Sequence, residues 1–71
     1  MDIPAPMSGS VIEVLVSVGD HVTVGQELLI IESMKMEIPL ESPATGAIAE
    51  IAIEAPHPVS EGDLLLRITE S

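Results

Sequence analysis

Offset the chain against itself by 37 residues, without gaps, and its two halves match. Pro6 falls on Pro43, Gly9 on Gly46, Glu13 on Glu50 and Val22 on Val59, and then Gly25 on Gly62, Leu28 on Leu65, Leu29 on Leu66 and Ile31 on Ile68. Eight identities in 34 aligned pairs is a modest count, but most fall on glycines and aliphatic residues, which set turns and core. Conservative pairs surround them: Ser8 with Thr45, Val11 with Ile48, Val14 with Ile51, Val16 with Ile53, and Thr23 with Ser60. A chain of 71 residues is one small domain, residues 1–71, so the repeat implies two copies of one unit, about 1–34 and 38–71, sharing a single core.

Each copy reads as strands. Ser10–Val18 is rich in β-branched residues and partly alternates, followed by a turn at Val18-Gly19-Asp20-His21 and a short strand Val22–Val24. Gly25-Gln26 turns the chain into Leu28–Ser33. The second copy repeats the order: Gly46–Ile53, a turn through Pro56-His57-Pro58, Val59, the turn Gly62-Asp63, and Leu64–Thr69. No segment has a 3.6-residue apolar period, so no helix is expected. The predicted fold is all-β: a flattened barrel or sandwich of two four-stranded antiparallel sheets with internal pseudo-two-fold symmetry.

Composition narrows the function. Phe, Tyr and Trp are absent, so the core must be aliphatic, and no aromatic platform is available for stacking bases. A net charge of −10 opposes binding to nucleic acid and to anionic membrane surfaces. There is no cysteine, hence no disulfide framework and no thiolate metal site, which favours a reducing cytoplasm. The N-terminal Met1-Asp2-Ile3-Pro4 lacks the basic and apolar regions of a signal peptide, and the longest apolar run, Leu28–Ile31, is far too short to span a membrane.

Against this acidic background the chain has a single lysine, Lys35, within Glu32-Ser33-Met34-Lys35-Met36-Glu37. Ile30–Ser33 and Glu37–Leu40 read as two strands joined by Met34-Lys35-Met36. A tight turn makes its central residues protrude, and the repeat equivalent of Lys35 would lie just past the C-terminus. The hairpin should therefore sit at one end of the molecule and the two termini at the other. Local sequence alone leaves two readings open, a solvated turn residue or an amine displayed for acylation. Its being the sole lysine, on the link between the repeats, favours the second. A lysine amine is protonated at neutral pH, so the modifying enzyme must deprotonate it. The flanking methionines are flexible and polarisable, suited to docking on more than one protein surface. His21 and His57 read as solvated turn residues, Asp20 and Asp63 as turn formers, and no His, Cys or carboxylate spacing suggests a metal or a catalytic group.

These residues resemble the biotinyl/lipoyl carrier family over the whole chain. Glu32-Ser33-Met34-Lys35-Met36-Glu37 is similar to its biotin-attachment motif, centred on Met-Lys-Met. Ala5-Pro6-Met7-Ser8-Gly9-Ser10-Val11 resembles the family's opening, Val18-Gly19-Asp20-His21-Val22 its first turn, Gly25-Gln26-Glu27-Leu28 and Gly62-Asp63-Leu64-Leu65 its Gly-x-x-Leu elements, and Pro43-Ala44-Thr45-Gly46 its Pro-x-x-Gly. Small free-standing biotin/lipoyl attachment proteins and the carrier domains of urea, propionyl-type and pyruvate carboxylases are the nearest in pattern. Most biotin carriers have Ala where this chain has Ser33, and lipoyl domains often read Glu-(Ser/Thr)-Asp-Lys-Ala. Between Val16 and Val22 there is no room for the protruding insertion of the bacterial fatty-acid-type carrier.

The resemblance implies a non-catalytic carrier whose Lys35 bears covalent biotin, with Met34 and Met36 recognised by the ligase or by partners and Glu32 and Glu37 belonging to the same hairpin. It implies as partners a biotin protein ligase, a biotin carboxylase and a carboxyltransferase. A lipoyl carrier and an unmodified lipoyl-like interaction module are the alternatives.

Overall fold

The computed structural model describes residues 1–71. Eight strands follow one another without a helix: β1 (Asp2–Pro4), β2 (Gly9–Val14), β3 (His21–Val22), β4 (Glu27–Ser33), β5 (Met36–Glu41), β6 (Gly46–Ile51), β7 (His57–Val59) and β8 (Leu64–Glu70). They form two antiparallel four-stranded sheets that do not close into a barrel, ordered β1-β8-β6-β3 and β5-β4-β2-β7. Adding 37 to a residue of β2 or β4 gives β6 or β8 with the same bounds, and β3 and β5 overlay β7 and β1. The offset that pairs the sequences thus carries one sheet onto the other, in the same strand order.

Packing follows the same symmetry. The pairs Val11/Ile48, Val16/Ile53, Val22/Val59, Leu28/Leu65, Leu29/Leu66 and Ile31/Ile68 are all buried, and together they are most of an aliphatic core. Burying them supplies the favourable free energy of folding, at about 25 cal/mol per Å² of apolar surface. The one buried polar side chain, Ser42, is satisfied: its hydroxyl donates to the Ala44 carbonyl at 2.6 Å.

Two pairs of glycines are required by geometry. At Thr23–Gln26 and Ser60–Asp63 the fourth amide bonds the first carbonyl at 3.0 Å, and the third residues, Gly25 and Gly62, have φ of 89° and 92°. That is a type II turn, whose third position favours residues without a Cβ. Gly9 and Gly46 are needed for a different reason: a Cβ on Gly9 would lie 2.5 Å from the Glu32 carbonyl oxygen, and one on Gly46 would strike that of Thr69, its repeat equivalent.

The structure corrects several boundaries read from sequence. Ser10–Val18 and Gly46–Ile53 end as strands at Val14 and Ile51, because the chain must then leave one sheet and cross to the other. The Gly19 amide already bonds the Ile48 carbonyl of the facing sheet at 2.8 Å. Val22–Val24 shortens to His21–Val22, since Thr23 opens the next turn, while His57 and Pro58, expected in a turn, belong to β7. Asp2–Pro4, assigned no structure above, is an edge strand on β8. Proline occurs in β1, β5 and β7, all at sheet edges where a missing N–H breaks no ladder.

The β8–β1 pair is the counterpart of β4–β5 without its turn: Arg67 faces Asp2 and Leu66 faces Ile3, as Ile30 faces Pro39 and Leu29 faces Leu40. Both chain ends therefore lie together, with Met1 bonded to Ile68 and the Ser71 amide to the Thr45 carbonyl at 3.0 Å. Thr45 also accepts, through Oγ1, the Val24 amide of the turn that leads into β4. From there β4 runs seven residues, about 23 Å at ~3.3 Å per residue, to the β4–β5 hairpin tip. In a molecule 34 Å long, this places Lys35 and the termini at opposite ends.

Candidate functional site: the Lys35 hairpin

The link expected to be three residues is two. Met36 is the first residue of β5 and faces Ser33, leaving Met34-Lys35 as the whole loop. Their φ values are 53° and 65°, so both occupy the left-handed region, and they are the only non-glycine residues that do. A two-residue hairpin with both central residues at positive φ is a type I′ turn, normally written Asn-Gly or Gly-Gly because a Cβ is disfavoured there. Each such residue costs about 1–2 kcal/mol. Met-Lys is thus a poor choice for folding, and such departures cluster where a side chain is kept for another purpose.

The stem repeats that pattern. Glu32 and Glu37 face each other across β4 and β5, a like-charge juxtaposition that disfavours the pair. Lys35 is exposed and makes no hydrogen bond or ion pair. Met34 is 92% and Met36 62% exposed, so the methionines are displayed rather than used to cover the sheet end. No pocket opens on the surface, and no group of three or more His, Cys, Asp or Glu side chains is placed to hold a metal. His21 and His57 are exposed in short edge strands at opposite sheets.

Three residues that the sequence marked only as repeat or motif positions brace the hairpin. The Ser33 hydroxyl donates to the Ser8 carbonyl at 3.1 Å, and the Ser8 hydroxyl accepts the Glu61 amide at 3.2 Å. Gly9 lets β2 approach the stem at Glu32 and Ser33. The signal was present in the repeat: Ser8 pairs with Thr45, whose hydroxyl accepts the equivalent amide, Val24, at 3.3 Å.

The only ion pairs lie on the other sheet. Arg67 reaches Asp2 through Nε and Glu50 through Nη1, each at 2.8 Å. Its guanidinium pKa is raised, first by the hydrogen bond to Asp2, then by the charges of Asp2 and Glu50.

A model of the family described as biotin-requiring enzymes, the biotin/lipoyl domain, matches residues 1–68. The chain is 39% identical over 71 residues to a biotin/lipoyl attachment protein of Bacillus subtilis, covering all of this chain and 97% of that one. It is 44% identical over 69 residues to pyruvate carboxylase of Staphylococcus aureus, covering 97% of this chain but 6% of that enzyme. Among solved structures, a single-chain, multi-domain long-chain acyl-CoA carboxylase superposes with a TM-score of 0.94 at 28% identity, over all of this chain and 7% of that one. The chain belongs to the biotin/lipoyl attachment family. No helix is long and apolar enough to cross a membrane.

Proposed function

We propose that residues 1–71 act as one biotin carboxyl carrier domain, with Lys35 as the covalent attachment point. The observation that carries this reading is the display of the chain's sole lysine, unpaired and exposed, in a turn whose backbone disfavours it. The residues fit the group: an amide needs a free primary amine that a ligase can reach, and nothing in the chain competes for it.

In this reading a biotin protein ligase activates the biotin carboxyl group as an acyl adenylate. The Lys35 amine, deprotonated in the ligase, attacks the acyl carbon, and AMP leaves as the amide forms. Met34 and Met36 supply the apolar surface on either side of the amine, and the Glu32–Glu37 stem holds the turn clear of the sheets. Attached biotin supplies a ureido nitrogen that takes up a carboxyl group at a biotin carboxylase and releases it at a carboxyltransferase. The chain itself performs no bond chemistry. It holds the amine at the end of a β strand about 23 Å long, away from its own termini, and tethering converts two bimolecular encounters into local searches. A cytoplasmic setting, where a ligase and its adenylate are present, suits this role.

The test is acylation by purified biotin protein ligase with biotin and ATP, read by avidin capture and intact mass. Wild-type protein should gain one amide-linked biotin, and the folded Lys35→Arg variant none. Labelling that persists on Lys35→Arg would remove the site, and a lipoyl but no biotinyl adduct in cells would reassign the carrier.

A further inference from the structure

The chain has no cysteine, tryptophan or tyrosine, so its four methionine sulfurs are the side-chain atoms that take up oxygen from a peroxide most readily. The fold sorts them. Met7, between β1 and β2, is half-buried against the aliphatic core. Met1 is 48% exposed and is held along β8 by two backbone bonds to Ile68. Met34 and Met36, at 92% and 62%, are the two that a dissolved oxidant reaches first. These two flank the chain's single lysine.

Nothing in folding asks for thioethers there. Neither side chain belongs to the core, and Met34 adopts a backbone that disfavours any Cβ. They are, however, the only apolar side chains between Ile31 and Ile38. Their Cα atoms lie about 3.8 Å from that of Lys35. An enzyme that closes on the amine must therefore seat these neighbours as well, and their flexible, polarisable chains are the only apolar surface the tip offers it.

Oxidation removes that surface and changes little else. A thioether sulfur attacks one oxygen of hydrogen peroxide, the O–O bond breaks as an S–O bond forms, and water leaves. Sulfur loses two electrons and the peroxide gains them. The sulfoxide is polar but uncharged, so net charge, the lysine amine and the hydrogen-bonded stem are unchanged. A reductase bearing a dithiol reverses the step: the sulfoxide oxygen leaves as water, and the two thiols become a disulfide.

Resting on the carrier reading, we infer that Met34 and Met36 are a reversible oxidation site that controls whether Lys35 is acylated. As thioethers they admit the hairpin to the ligase; as sulfoxides they exclude it. Because both lie outside the core, the control acts on the reaction and not on the fold.

Unacylated protein is treated with dilute hydrogen peroxide, quenched and mapped by peptide mass spectrometry, then titrated as substrate into purified biotin protein ligase. One oxygen should appear on Met34 and on Met36 before Met1 or Met7, with thermal unfolding unmoved. The KM for the doubly oxidised protein should rise at least about ten-fold, and methionine sulfoxide reductase should restore it. Leucine has no sulfur, so Met34→Leu with Met36→Leu should keep its own untreated rate after peroxide, whatever that rate is. Oxygen arriving first at Met1 or Met7, a doubly oxidised protein acylated at the untreated KM, or an equal loss in the leucine variant overturns the inference. Untreated protein that accepts no biotin would instead sink the carrier reading, and shows before any oxidant is added.

Discussion

Replacing the acylation site with residues suited to its backbone should make the protein more stable. Met34 and Lys35 sit at φ 53° and 65°, at about 1–2 kcal/mol each. Glycine escapes that cost but loses about 0.5–1 kcal/mol through the entropy of its unfolded state, and asparagine is tolerated better than methionine in the left-handed region. Met34→Asn with Lys35→Gly should therefore stabilise by about 1–1.5 kcal/mol. For a domain of this size 1 kcal/mol moves Tm by roughly 4–8 °C, so an upward shift of about 5–10 °C is expected. With no Phe, Tyr or Trp, intrinsic fluorescence reports nothing, and thermal and urea unfolding followed by far-ultraviolet circular dichroism is the appropriate assay. Lys35→Ala is the control: alanine keeps the Cβ, so it should gain little, which separates backbone relief from loss of the ammonium. A double variant no more stable than wild type, or Lys35→Ala matching it, would refute the argument that the tip is conformationally disfavoured.

Other expectations follow from the same symmetry. Gly9→Ala and Gly46→Ala should each destabilise by about 1–3 kcal/mol, because a carbonyl of the neighbouring strand must move; only Gly9→Ala should also slow acylation, since it displaces the Lys35 stem. Leu28→Ala and Leu65→Ala, at equivalent fully buried positions, should each cost about 2–5 kcal/mol in urea unfolding and agree with each other more closely than with other core truncations. Arg67→Ala should shift the urea midpoint only slightly, and the shift should shrink as salt is raised, since both of its ion pairs are exposed.

How much of this was legible in the chain depends on what each residue has to do. Glycines at Gly9, Gly25 and their mates, and aliphatics such as Leu28 and Leu65, answer to turns and core in both copies, so the repeat revealed the two sheets directly. Asp2-Ile3-Pro4 was missed because an edge strand held on one side makes few demands, and it shares no identity with Pro39-Leu40-Glu41. The strand ends at Val14 and Ile51 were overrun because Val16 and Ile53 stay buried after the backbone has left the sheet. At the site, Lys35 stood out by scarcity, but the two-residue turn did not, since Met-Lys contradicts the residue preference by which such turns are read. The Ser8–Ser33 brace is formed by residues 25 apart and has no local signature.

Where the acyl group goes decides the function, and peptide mapping by mass spectrometry of protein recovered from ligase-containing cells tests that most directly. Biotin on the peptide spanning Glu32–Glu37, localised by fragmentation to Lys35 and absent elsewhere, is the predicted result. Biotin found on another group such as the amino terminus, or an unmodified Lys35 in cells whose other carriers are biotinylated, would contradict it.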